Sequence, residues 1–283
     1  LVHLEDRTVP ANFFVDPTFA TQLDPANLTF NNGQAGPGQA EAGAAPVVLN
    51  TTGFTTLRKA IEVANATPGK DTIFLASGNI DVNPLTATGG GTIKITDALT
   101  VAGQGAGSTT VRVTDDTDAA AGTAGAVLVT QGPAVDYSGF TLDGRGAEAN
   151  PTNPGFTFSV GSGLRYEGAS GTIDGVTVRN VIDTTTGTNL GFGVVVIAAD
   201  NGTPANVVFQ NGSLIGNGKT GITFYGVGTT GAVKNSTITG SGTGITQGVS
   251  VVEGAVNVLI TGNTITGHTG TTGPLNAGGG TSA

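Results

Sequence analysis

Five short stretches decide how this chain folds: Phe140-Thr141-Leu142-Asp143-Gly144, Val176-Thr177-Val178-Arg179-Asn180, Gly212-Ser213-Leu214-Ile215-Gly216, Ser236-Thr237-Ile238-Thr239-Gly240 and Asn263-Thr264-Ile265-Thr266-Gly267. Each runs Thr or Ser, an aliphatic residue, one more residue, then Gly or Asn. The markers Leu142, Val178, Leu214, Ile238 and Ile265 follow one another after 36, 36, 24 and 27 residues. A second series keeps step and opens on glycine: Gly163-Leu164, Gly193-Val194, Gly221-Ile222 and Gly244-Ile245. Ile73-Phe74-Leu75 and Leu99-Thr100-Val101 are earlier, less regular members. Several short strands per period of roughly 20–50 residues is the mark of a solenoid. No helical pattern separates the strands, so βαβ crossovers do not explain the repeat. A parallel β-helix does: each period winds once, equivalent strands stack at about 4.8 Å, and the five markers share one inward row. Gly and Asn at the corners supply the backbone conformations tight turns need. Asp174, Asn211, Asn235 and Asn263 suggest a hydrogen-bonded ladder at one corner. An antiparallel sandwich is the competing architecture, because turn signals at short intervals also permit it.

Outward from the repeats, the chain divides into an arm (1–50), a capping segment (51–70) and the β-helix proper (71–283). The arm carries Pro10, Pro17, Pro25, Pro37 and Pro46 and a low-complexity stretch over 33–45, with strand-capable pieces only at 11–15, 28–30 and 47–49. One helix is predicted over 56–66: Leu57, Ala60, Ile61 and Ala64 form one apolar stripe, Thr55 or Thr56 caps it, and Pro68-Gly69 ends it.

Composition narrows the function classes. The 283 residues include 48 Gly without a collagen period, and only 11% are charged. A net charge of −9 with 11 Lys and Arg argues against a nucleic-acid binder, which must neutralise phosphates. No apolar run approaches the length of a membrane span; 194–199 is the densest and is short. Cysteine is absent, which removes disulfides, thiolate metal sites and Cys nucleophiles together. Few charges, no Cys and no Met suit an extracellular protein, and a first residue other than Met is consistent with a processed or trimmed product.

Two stretches resemble known families. Phe54-Thr55-Thr56-Leu57-Arg58-Lys59-Ala60-Ile61, followed by Ala64-Asn65-Ala66-Thr67-Pro68-Gly69-Lys70-Asp71-Thr72-Ile73, resembles the entry module of bacterial surface proteins with right-handed parallel β-helix repeats. Leu4-Glu5-Asp6-Arg7-Thr8-Val9-Pro10-Ala11 is similar to a short N-terminal extracellular motif of planctomycete surface proteins. The first resemblance spans roughly 50–270 and implies an all-β, right-handed solenoid whose helix caps the first coil. The second implies export to the cell surface. Such families include pectate-lyase-like enzymes, adhesins and structural proteins, so the fold alone assigns no activity.

Motifs that carry chemistry are few. Asp115, Asp116 and Asp118 are the best acidic cluster; they are candidates for Ca²⁺ but read more simply as a solvated turn, and no other cofactor is implied. Asp143 and Arg179 each follow a marker residue, which places them one ladder step apart as an inter-coil salt bridge. Asp136, Asp174 and Asp183 are scattered, and Arg145 and Arg165 flank an insertion. His3 and His268 lie too far apart along the chain to share a metal. No Gly-x-Ser-x-Gly elbow is present, and Gly103-Gln104-Gly105-Ala106-Gly107 lacks the Lys and helix of a phosphate loop. The excess length of two adjacent coils falls at 144–162 and 183–192, bringing Phe156, Phe158, Tyr166 and Phe192 to one side. These aromatics either stack on sugar rings or pack the insertions onto the body.

The ends suggest a role. A β-helix exposes unpaired backbone at its last coil, and 268–283 offers no amphipathic helix to cover it. Asn12-Phe13-Phe14-Val15 needs burial, either against its own body or against the open coil of another copy. The second choice builds a head-to-tail filament, a homopolymer of this chain. The expectation is a non-enzymatic, extracellular structural surface protein. A polysaccharide lyase or hydrolase and a carbohydrate-binding adhesin, with extracellular polysaccharide as partner, are the alternatives.

Overall fold

The computed structural model describes residues 10–17, 51–54, 56–82, 92–114, 125–146, 148, 160–183, 191–240, 247–268 and 275–278. Strands β1 (Asn12–Val15) and β2 (Thr51–Phe54) precede helix α1 (Leu57–Ala64). Among the described residues the chain then winds seven times, laying one strand on each of three sheets per turn. Coil one is β3 (Asp71–Leu75), β4 (Gly78–Val82) and β5 (Ile93–Ile95); coil two is β6 (Leu99–Ala102), β7 (Thr109–Val113) and β8 (Ala126–Gln131). Coil three is β9 (Val135–Ser138), β10 (Thr141–Asp143) and β11 (Ser162–Glu167); coil four is β12 (Ser170–Asp174), β13 (Thr177–Arg179) and β14 (Phe192–Ile197). Coil five is β15 (Asn206–Gln210), β16 (Ser213–Asn217) and β17 (Thr220–Tyr225). Coil six is β18 (Thr230–Lys234), β19 (Thr237–Gly240) and β20 (Gln247–Val252); coil seven is β21 (Val258–Thr261), β22 (Thr264–Thr266) and β23 (Leu275–Gly278).

The marker row exists as residue-to-residue pairing. Ile80, Val111, Leu142, Val178, Leu214, Ile238 and Ile265 stack in parallel register across the second sheet. The first six are fully buried, and Ile265 packs part-buried against them. The first sheet turns Ile73, Val101, Tyr137, Ile173, Phe209 and Val233 inward, and the third turns Leu128, Leu164, Val194, Ile222 and Val249 inward. Each such side chain contributes about 1.5–3 kcal/mol by leaving water. Parallel stacking of this kind excludes the sandwich, and the fold is a right-handed parallel β-helix.

The corner after the first sheet explains its Gly and Asn. Gly139, Gly175, Asn211, Asn235 and Gly262 occupy equivalent places, with φ of 63°, 63°, 54°, 49° and 67°. Only Gly, and less readily Asn, visits this left-handed region without large cost. The expected ladder of Asp174, Asn211, Asn235 and Asn263 is therefore not one row. Asn211 and Asn235 hold the corner, and Asp174, one place earlier, accepts from Asn211 Nδ2 at 2.8 Å. Asn263, one place later, accepts from Ser236 N at 2.9 Å and donates to the Val233 carbonyl at 2.8 Å.

At the N-terminal end α1 covers the first coil with Leu57, Ala60, Ile61 and Ala64, the stripe read from the sequence. Thr56 caps it, accepting from Lys59 N at 3.3 Å. The arm takes the first of its two expected placements, against its own body. Asn12, Phe13, Phe14 and Val15 form β1, which lies between β2 and β3 and pairs in parallel with both. Phe13, Phe14 and Val15 are buried, and the Phe13 ring lies 5.7 Å from that of Phe54. Both edges of β1 are satisfied within its own sheet, so as placed it has no free edge to offer a second copy. β2, within the segment assigned to the cap, is a strand the sequence did not announce. The candidate strands at 28–30 and 47–49 lie outside the described residues.

Candidate functional site

The outer face of the third sheet carries a groove of about 770 Å³. A glycine in second place in β11, β14, β17 and β20 shapes it. Leu164 and Tyr166 point inward, so strict alternation would turn Ser162 inward as well. Gly163 breaks the alternation: a Cβ there would meet the Gly193 carbonyl oxygen and Val178 Cγ1, each at 2.8 Å. Gly193 and Gly221 repeat this, with the next glycine's carbonyl oxygen at 2.6 and 2.7 Å. The irregularity releases Ser162, Phe192 and Thr220 to the groove, together with Arg165, Val195 and Thr223 farther along the strands.

Three outer rows line it. Lys94, Val129, Arg165, Val195, Thr223 and Ser250 stack along the middle. Gln131, Glu167, Ile197, Tyr225 and Val252 form one flank. Ala126, Ser162, Phe192, Thr220 and Gln247 form the other. From β5 to β20 the groove crosses five inter-strand steps, about 24 Å at roughly 4.8 Å each. From β14 to β20 its floor is small and uncharged: Val195, Thr223 and Ser250 are 5–6% exposed. Tyr225, 43% exposed, stands at one edge, and Lys219 Nζ lies 5.2 Å from the centre of the Phe192 ring.

One charged cluster interrupts the floor. Glu167 accepts from Gln131 Nε2 at 2.6 Å and from Arg165 Nε at 2.5 Å. Burial works to raise its pKa, but those two hydrogen bonds and the charges of Arg165 and Lys94 outweigh it, and the net effect is downward. Glu167 is thus held ionised. Beyond it a second depression of about 530 Å³ continues past the turn that carries Asp200 and Asn201.

The structure divides the predicted stacking residues. Phe192 lines the groove. Tyr166 does not: it is fully buried, its ring edge-on to Tyr137 at 5.9 Å, its hydroxyl donating to the Val135 carbonyl at 2.8 Å. It faces inward because it shares the parity of Leu164. Phe156 and Phe158 lie outside the described residues, as do Asp115, Asp116, Asp118 and His3. Among the described residues no three His, Asp or Glu side chains are grouped to hold a metal ion. His268 follows β22, where burial lowers its pKa. Tyr225, Lys219, Gln131 and Glu167 escape a reading of the sequence, although their strands follow the glycine-opened series.

No family model matches the chain, and no curated protein does. Two solved structures are similar in shape. One is Geobacillus virus E2 ORF18, at 14% identity and TM-score 0.43, covering 75% of this chain and 37% of that one. The other is the A-module of Azotobacter vinelandii mannuronan C-5 epimerase AlgE4, at 19% identity and TM-score 0.30, covering 77% of this chain and 75% of that one. The chain thus spans well under half the length of the viral protein.

Proposed function

We propose that this chain is a non-enzymatic surface module, exported from the cell, whose third-sheet groove holds a strand of extracellular polysaccharide. The observation that carries the reading is the groove itself. It is long, with an aromatic side chain at each flank, Thr, Ser and Gln between them, and cationic and anionic side chains in equal number around them. Sugar rings present apolar faces and hydroxyl edges, the two chemistries that Phe192 and Tyr225, and Thr220, Thr223, Ser250 and Gln247, complement. A hydrolase pairs a carboxyl kept protonated with an ionised one; Glu167, held ionised, fits only the second of those roles. The likeness of 4–11 to an extracellular motif supports export. The placement of β1 in its own sheet weighs against the arm as a connector between copies.

The test is binding of the purified chain to an array of neutral and acidic polysaccharides, with product analysis alongside. Binding that falls about tenfold in both Phe192→Ala and Tyr225→Ala, equivalent to about 1.4 kcal/mol of lost ring contact, supports the reading. No binding, or binding indifferent to both changes, overturns it. Cleaved or epimerised product overturns the non-enzymatic part.

A further inference from the structure

Asp71 is a fully buried carboxylate in a row that should be apolar. It occupies the inward position of β3 that Leu99 and Val135 fill in the next two coils. Its Oδ1 accepts from the backbone N–H of Ala11, just before β1, at 2.7 Å. Its Oδ2 is buried with no hydrogen-bond partner. An ionised carboxylate in that state is costly; a neutral one much less so.

Among the described residues, the surroundings offer no compensating cation. The core-facing side of α1 is Leu57, Ala60, Ile61 and Ala64. Its charged residues lie elsewhere: Lys59 and Glu62 pair with each other at 3.2 Å in solvent, and Arg58 is influenced chiefly by its own burial and by Glu62. Lys70, next in sequence, reaches outward to Asp136 at 2.6 Å. β2 has no titratable residue. Before β6 stands Asp97, a second negative charge, and β1 is followed by Asp16. Burial first, then Asp97, raise the Asp71 pKa against the Ala11 hydrogen bond.

We infer that Asp71 is an acid-stabilised latch for the N-terminal strand: β1 seats between β2 and β3 most firmly when this carboxyl is protonated. Withdrawal of β1 removes the Ala11 N–H and opens Asp71 to water, where the ionised form is cheap. Seating is therefore tightest below the ordinary carboxylate value of 3.8. It weakens as pH rises towards the raised value of the seated state and is level above that.

Amide exchange of residues 11–15 by mass spectrometry, scaled to intrinsic rates from pH 4 to 8, tests this on the full chain. The expected protection falls with rising pH by about tenfold per pK unit between seated and unseated states. Asp71→Asn, which keeps an acceptor for Ala11 and cannot ionise, gives protection independent of pH, at the wild-type acid level. Flat wild-type protection, or a step that persists in Asp71→Asn, overturns the inference. If Asp71→Asn fails to fold, Asp97→Asn serves instead: removal of the neighbouring charge should move the step to lower pH, and an unmoved step counts against the latch.

Discussion

Arg179 Nε donates to Asp143 Oδ2 at 2.8 Å across a single inter-coil step. The pair belongs to a column in which charge alternates: Asp81, Arg112, Asp143 and Arg179 stand in register on β4, β7, β10 and β13. Arg112 reaches back to Asp81 at 3.0 Å. Asp143 is the busiest member, its side chain 7% exposed and accepting also from Asn180 Nδ2 at 3.1 Å and Arg145 N at 3.0 Å. Asp143→Ala leaves three donors without this acceptor and is expected to cost about 1–3 kcal/mol in chemical denaturation. Arg179 is 45% exposed, so Arg179→Ala costs less, and the coupling in a double-mutant cycle is expected near 1 kcal/mol or below. A coupling indistinguishable from zero assigns the cost of Asp143→Ala to Asn180 and Arg145 instead.

Glycine at the start of the third-sheet strands answers a packing demand. A Cβ on Gly221 would lie 2.7 Å from both the Gly248 carbonyl oxygen and Ile238 Cγ2. Gly221→Ala must shift backbone and core together, at about 1–3 kcal/mol. Gly175 is the contrasting case, with φ of 63° and open space for 4 Å around the point where a Cβ would sit. Gly175→Asn, which tolerates that conformation, should be nearly neutral, and thermal melts of the two variants separate crowding from backbone strain.

How much of this is legible in the sequence follows from which residues repeat. The marker row is readable because its members are aliphatic in every coil from Leu142 onwards and must face one interior. The Asp143–Arg179 pair is readable because stacking converts equal offsets from that row into contact. The helix stripe is readable for the same reason at a period of 3.6. The groove is not, because its lining changes chemistry at every coil: Val129, Arg165, Val195 and Thr223 share a column but no pattern. The inward turn of Tyr166 is legible too, two places after Leu164 in the glycine-opened series, but its aromatic ring beside an insertion suggests a surface role instead. The bulk of Tyr166 is matched by a glycine in another sheet: a Cβ at Gly171 would lie 1.8 Å from the Val135 carbonyl oxygen and 3.1 Å from Tyr166 Cε1. The place of β1 is equally hidden. The letters show that its phenylalanines need burial but not against which partner.

Burial of those phenylalanines in place makes a quantitative expectation. Phe13 is 3% exposed and packs on Phe54, so Phe13→Ala should destabilise the folded monomer by about 3–5 kcal/mol. If the arm served instead to join copies, the same change would lower the sedimentation coefficient while leaving monomer stability untouched.

Tyr166 and Tyr225 should behave as opposites. Tyr166→Phe deletes a buried hydroxyl and leaves the Val135 carbonyl oxygen without that donor, at about 1–3 kcal/mol of stability. Groove binding should be unchanged. Tyr225→Ala removes a side chain that is 43% exposed and should leave stability within about 0.5 kcal/mol while weakening polysaccharide binding. Equal losses of binding in both variants would mean that the groove is read through the core rather than through its lining.

The acid response of the groove follows from Glu167, and its sign is the reverse of that at Asp71. Its folded pKa lies below the ordinary glutamate value of 4.5, so the ionised form contributes stability that is complete above that value. The contribution is lost as pH falls through the lowered value, where protonation disrupts the contacts with Arg165 and Gln131. Glu167→Gln keeps the shape, removes the titration and leaves Arg165 without its carboxylate. The variant should therefore be less stable than wild type at pH 7, and the difference should shrink as the pH is lowered below 4.5. Denaturant titrations at pH 7 and at successive steps into the acid range check this; a gap that stays constant would show that the Arg165–Glu167 pair contributes nothing electrostatic to the fold.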